Sequence, residues 1–323
     1  MSLPAAFPAL NRRQLLLGLG AGAALLAVPR PLRAQEARTI EHALGTTTVA
    51  SKPLRVLVLS DFTDLEYTLA LGIKPVAYGQ TGAWDRGGLP WQADGIEGVA
   101  GLLLIENVPA PEDVISHAPD LIIGMKSYIE PVQPQLESIA PVIALDWSMT
   151  WRDGLRLVAS ALFEDEAAEA AIAATDSLIA ETATGLDGLG GRKIMIGSLY
   201  ADTLYVIGDG PLAAQFAELG LTFIPAPNAE VGGLASYSIE NVDILAQADI
   251  LLSFATDIAA TARLEAFAPF QRLPAVLGNA YIPLDPVTGS AFADNFSPLS
   301  ARWVLPRLAE MLQQAAAGEV PAR

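Results

Sequence analysis

Pro109-Ala-Pro-Glu112, followed by Ala118-Pro-Asp120-Leu-Ile-Ile-Gly124, is echoed by Tyr237-Ser-Ile-Glu240, followed by Ala248-Asp249-Ile-Leu-Leu-Ser253. In each copy an acid opens a helix, and an aspartate begins an apolar run that reads as a strand buried on both faces. The spacing from acid to strand is eight residues in the first copy and nine in the second. A unit recurring at this spacing predicts two like halves, each built from βαβ units on a mainly parallel sheet.

Working outward, Arg55-Val-Leu-Val-Leu59 reads as the first buried strand, and a helix over Leu65 to Leu71 ends at Gly72. Strands over Lys74–Tyr78 and Val142–Leu145 and a helix over Pro134–Ile139 complete the first half. The second half repeats this order: a strand over Lys193–Gly197, a helix opened by Gly210-Pro211, then Thr222-Phe-Ile224. Between the halves, Trp151 to Gly185 is long, alanine-rich and poor in Gly and Pro, which predicts a stiff helical spacer rather than a flexible linker. The organisation expected is an N-terminal lobe over 52–150, a connecting helical segment over 151–187, a C-terminal lobe over 188–297 and a last helix over 298–317. Pro306 is expected to kink or break that last helix.

Residues 1–34 read as an address label. Arg12-Arg13-Gln14 precedes Leu15 to Val28, an apolar run of 14 residues, and Ala34 is the expected cleavage position. A helix of that length falls short of the ~30 Å hydrocarbon core. The arginine pair resembles a twin-arginine export signal, so the mature chain is expected in the periplasm, soluble and unlipidated. The glycines at 18, 20 and 22 follow no strand and are no dinucleotide fingerprint.

The 323 residues are 52% hydrophobic with mean hydropathy +0.38, which excludes a disordered or fibrous chain. There are 19 Lys+Arg against 36 Asp+Glu, net −17. Removing residues 1–34 takes four arginines and no acids, leaving 15 against 36, net −21. Such a chain repels phosphate backbones, so nucleic acid is not expected as a partner. No cysteine is present, which removes disulfides, thiolate metal sites and lipid attachment through an N-terminal cysteine. Two histidines, His42 and His117, cannot build a three-histidine metal cage.

The paired motif, Leu69-Ala-Leu-Gly72-Ile-Lys-Pro75-Val and Phe270-Gln-Arg-Leu-Pro274-Ala-Val276 together resemble the class III periplasmic substrate-binding proteins. These deliver ferric siderophores, haem or corrinoids to ABC importers, and the sequence is most similar to the ferric hydroxamate-binding type. The resemblance spans about Leu54 to Leu312. It implies α/β architecture, with two Rossmann-like lobes joined by a single long connecting helix. It further implies a monomer that binds an iron chelate in the interlobe cleft, no covalently bound cofactor, and no catalysis. One glutamate on each lobe would dock into arginine pockets of an inner-membrane permease; the matching positions are Glu112 and Glu240.

A chelate site needs aromatic walls and a few polar groups rather than direct metal ligands. Tyr128 matches a tyrosine position that contacts ligand in the hydroxamate type. Trp84, Arg86 and Trp91 share a Gly/Pro-rich loop; Lys126, Trp147, Tyr200 and Tyr237 follow or flank strands. Scarce cations point to a neutral hydroxamate or mixed chelate over an anionic tris-catecholate. A haem or corrinoid binder of the same fold is the alternative. A secreted α/β enzyme is a further one, because Asp61, Asp85, Asp202, Asp209 and Asp257 supply carboxylates, but no nucleophile-elbow Gly-x-Ser-x-Gly is present.

Overall fold

The computed structural model describes residues 37–82, 88–105, 108–230, 233–255, 257–293 and 295–320. The expected export segment lies outside them. An antiparallel hairpin, β1 (Arg38–His42) and β2 (Gly45–Val49), leads into the first sheet. That sheet is made of β3 (Val56–Val58), β4 (Ala77–Gln80), β5 (Ala100–Leu103), β6 (Leu121–Met125) and β7 (Val142–Leu145). Its order is β5-β4-β3-β6-β7, and every pairing is parallel. The three residues of β3 and all five of β6 are buried, the pattern of strands covered on both faces.

The second sheet contains β8 (Lys193–Tyr200), β9 (Thr203–Ile207), β10 (Thr222–Phe223), β11 (Leu234–Ser238), β12 (Ile250–Phe254) and β13 (Tyr281–Leu284). Its order is β11-β9-β8-β12-β13, with β10 also on β8. The β10, β8, β12 and β13 strands pair in parallel, whereas β9 and β11 form an antiparallel margin. That margin is a departure from the expected grammar, produced by a tight turn at Ala201-Asp202 between Tyr200 and Thr203.

The echoed aspartates do the same work in both halves. The Asp120 carboxylate accepts the backbone N–H groups of Leu54 and Arg55, both at 2.8 Å, while Asp120 N–H donates to the Arg55 carbonyl at 3.0 Å. Asp249 accepts Lys193 N–H at 2.8 Å and donates its own N–H to the Lys193 carbonyl at 2.8 Å. Each acid therefore clasps the start of the central strand of its sheet and sets the register of the pair.

The connector is two helices, Trp151–Leu162 and Asp165–Gly185, not one. The break is Phe163, held at φ 60°, with the Arg38 guanidinium over its ring at 4.2 Å. The second helix, 21 residues, spans about 31 Å at 1.5 Å per residue. Gly154 allows the first helix to sit against the helix Thr63–Ala70: a Cβ there would stand 2.6 Å from the Tyr67 ring. Arg152 links three helices, with its guanidinium 2.6 Å from Asp176 and 2.8 Å from Glu218. The last helix runs unbroken from Pro298 to Ala316, so the break expected at Pro306 is absent. Pro306 sits on the exposed side, and the helix is held through it by the packing of the other side, where Val304, Leu305 and Leu308 are buried.

Asp120→Ala removes two charge-assisted hydrogen bonds and leaves two strand-end N–H groups to water. A loss of about 1–2 kcal/mol in unfolding free energy is expected, read from urea melts; a variant as stable as the parent would refute the strand-clasp role.

Candidate functional site

The carboxyl ends of the parallel strands in the two halves face a common cleft of about 390 Å³. This is where open α/β sheets place their ligands, and the volume is that of a small-molecule site. From the first half come Phe62, beyond the end of β3, Tyr128, after β6, and Trp147, after β7. From the second come Ile207 at the end of β9, the turn Gly208-Asp209-Gly210, then Pro211 and Leu212 at the start of the helix Pro211–Glu218, and Phe254 at the end of β12. Gly233, Leu234 and Ala293 complete the lining.

The wall is aromatic. Phe62 and Trp147 meet edge to face with centroids 5.7 Å apart, and Trp147 remains 43% exposed. A tryptophan that open, braced by a neighbouring ring, offers a flat apolar face to a guest. Asp209 carries the one ionisable carboxylate of the described lining, and among the described residues no Lys or Arg lines it.

Of the residues singled out in the sequence, the cleft brings together Tyr128 and Trp147. Trp84 and Arg86 lie outside the described residues. Trp91 stands elsewhere: its indole N–H donates to Glu66 Oε1 at 2.6 Å, and its ring packs on Trp303 at 5.1 Å. Lys126 is half-buried and outside the lining; its charge helps hold the Asp146 carboxyl below its usual range, after the hydrogen bonds from Ser148. Tyr200 is exposed at the β8–β9 turn, and Tyr237 donates its hydroxyl to the Pro227 carbonyl at 3.0 Å. Neither lines the cleft. Neither does His42, whose ring bonds Thr47 at 2.9 Å within the first hairpin, nor His117. Glu112 and Glu240 are exposed, each in the first turn of a helix, as their motifs predict. Among the lining residues that the sequence did not assign to a ligand, Phe62, Phe254 and Asp209 each stand at or just past a strand end, the one signal that marks them.

Behind the wall, Glu66 is fully buried. Its carboxylate accepts from Trp91 and Gln92, both at 2.6 Å, and from Ser297 at 2.8 Å. Ser297 in turn caps the last helix by accepting Leu299 and Ser300 N–H. Burial pushes the Glu66 carboxyl up to about 7, against the opposing pull of those three donors. Buried Asp64, which accepts Leu59 N–H, Ser60 N–H and the Ser60 hydroxyl, is pushed up to about 6 for the same reason. Asp61 is also raised by burial, and it accepts the Thr81 hydroxyl at 2.7 Å.

No protein-family model matches the chain. The fold is that of the substrate-binding proteins of iron-uptake importers. A periplasmic solute-binding protein from Mycobacterium smegmatis superposes with a TM-score of 0.74 at 24% identity, covering 87% of this chain and 99% of that one. Staphylococcus aureus SirA, solved with staphyloferrin B, gives a TM-score of 0.74 at 21% identity over 85% and 98% of the two chains. Streptococcus pneumoniae PiaA in complex with ferrichrome gives 0.71 at 21%, over 87% and 99%. In sequence, the chain is 37% identical over 149 residues to the probable siderophore-binding lipoprotein YfiY of Bacillus subtilis. That match spans 45% of this chain and 44% of YfiY.

Because Glu66 and Asp64 hold protons more tightly folded than unfolded, their contribution to stability is full only below their ordinary values of 4.5 and 3.8. It is lost as pH rises through about 6 and 7. The Glu66 share is on the order of 3 kcal/mol. Glu66→Gln should flatten the decline between pH 5 and pH 8 in denaturant melts; an unchanged slope would contradict the assignment.

Proposed function

We propose that this protein is the substrate-binding component of an ABC importer, taking a ferric siderophore of hydroxamate or mixed type into the interlobe cleft. The observation that carries the reading is the aromatic cleft at the strand ends, with Asp209 as its one described charge. A chelate with a net negative charge entering this lining would be desolvated with no compensating cation among the described residues, which is costly. A neutral chelate with an apolar rim meets Phe62, Tyr128, Trp147 and Phe254 without that cost. The siderophore-binding name of YfiY and the ferrichrome and staphyloferrin B complexes of PiaA and SirA support a siderophore as the ligand, without choosing its donor groups.

Delivery follows from the two exposed acids. Glu112 and Glu240 act as a paired electrostatic key for arginines on the permease, which fixes register and speeds encounter. Residues 1–34 export the chain by the twin-arginine route to the periplasm, where it works as a monomer.

Titration of the mature chain, followed by tryptophan fluorescence, should give a Kd at or below about 1 µM for a ferric tris-hydroxamate. Binding to a ferric tris-catecholate should be at least tenfold weaker. No response to any ferric chelate would overturn the reading. Glu112→Ala combined with Glu240→Ala should leave chelate affinity intact while uptake through the permease falls sharply; collapse of affinity would refute the docking role.

A further inference from the structure

Beneath the cleft lies a second compartment of about 60 Å³ that shares Trp147, Pro211, Leu212 and Ala293 with it. Two of its lining side chains carry buried polar atoms with no hydrogen-bond partner: the Trp151 indole N–H and the Gln215 side-chain carbonyl oxygen. Trp151 is 3% exposed and Gln215 is 8% exposed, so bulk water does not satisfy them. A buried donor or acceptor left unmade costs about 1–3 kcal/mol, and native interiors rarely leave two in one place. They belong to different parts of the chain: Trp151 opens the first connector helix, and Gln215 lies on the helix whose start lines the cleft.

We propose that this compartment is a ligand subsite that takes an uncharged amide-like end of the chelate, its N–H donating to Gln215 and its carbonyl accepting from Trp151. The inference rests on the siderophore reading above. Charged ends fit worse. An ammonium has no acceptor for the Trp151 N–H, and a carboxylate would face both the Gln215 oxygen and Asp146, another lining residue. The Asp146 Oδ1 is already occupied by the Ser148 N–H and hydroxyl, at 2.9 and 2.6 Å. The volume suits about three or four heavy atoms, or a few waters. Trp147 stands in both linings, so a chelate resting on its ring has an arm's access to the lower compartment.

The test uses ferric complexes of one linear tris-hydroxamate with three ends: a free amine, the acetylated amine and an alkyl group. Kd values are read by tryptophan quenching for the parent, Gln215→Leu and Trp151→Phe, with thermal melts to verify folding. The parent should bind the acetylated complex about tenfold more tightly than the other two, a difference of about 1.4 kcal/mol. In both variants that preference should shrink to about twofold or less. Equal binding of all three ends by the parent, or a preference that survives both substitutions, would overturn the subsite while leaving the binder reading intact. Melts that drop with the preference unaltered would mark the two groups as partners of structural water only and overturn it as well. Failure of the parent to bind any of the three complexes would instead refute the siderophore reading itself.

Discussion

A single buried carboxylate holds together parts of the chain that lie far apart in sequence. Glu66 sits on the helix that follows the central strand of the first sheet, and it reaches Ser297, 231 residues away, which caps the last helix. It also takes the N–H groups of Trp91 and Gln92. A carboxylate removed from water must have its lone pairs filled, and filling them here fixes the entry of three segments at once. Phe62 begins the same helical turn, so the geometry of the cleft wall is inherited from that anchor. The same need explains why Trp91, an aromatic in a glycine-rich loop, is turned away from the cleft.

The architecture was largely legible in the chain because parallel strands buried on both faces are written as continuous apolar runs. Leu121 to Met125 and Ile250 to Phe254 could hardly be read otherwise. The aspartates before them carried a second layer of information, since each clasps the start of a neighbouring strand. Less legible was the antiparallel margin of the second sheet. Its strands β9 and β11 alternate in burial, and the turn between Tyr200 and Thr203 contains no glycine; Ala201 adopts φ 48° instead. The break at Phe163 was hidden for a similar reason, because an aromatic residue in left-handed conformation leaves no trace in composition.

The site was legible in part. Tyr128 and Trp147 follow strands and do reach the cleft, whereas Tyr200 and Tyr237 obey the same positional logic and do not. The difference lies in the antiparallel margin: Tyr200 falls at its turn and Tyr237 on its outer strand, where the hydroxyl is engaged by Pro227. Strand direction, which composition does not encode, decides which strand ends open onto the cleft.

The Arg152 node bears on how the two halves are held to the connector. One guanidinium spans Asp176 on the second connector helix and Glu218 on the helix whose first residues floor the cleft. Phe163 is pinned beside it in chain order by Arg38, and Glu164 by Lys52. Ties of this kind run from the connector to both halves, so a swing of one half against the other would have to strain them. A hinge built this way is stiff by construction: whatever shape the cleft has is set by how the two sheets are bolted to the connector, not by a swing between them.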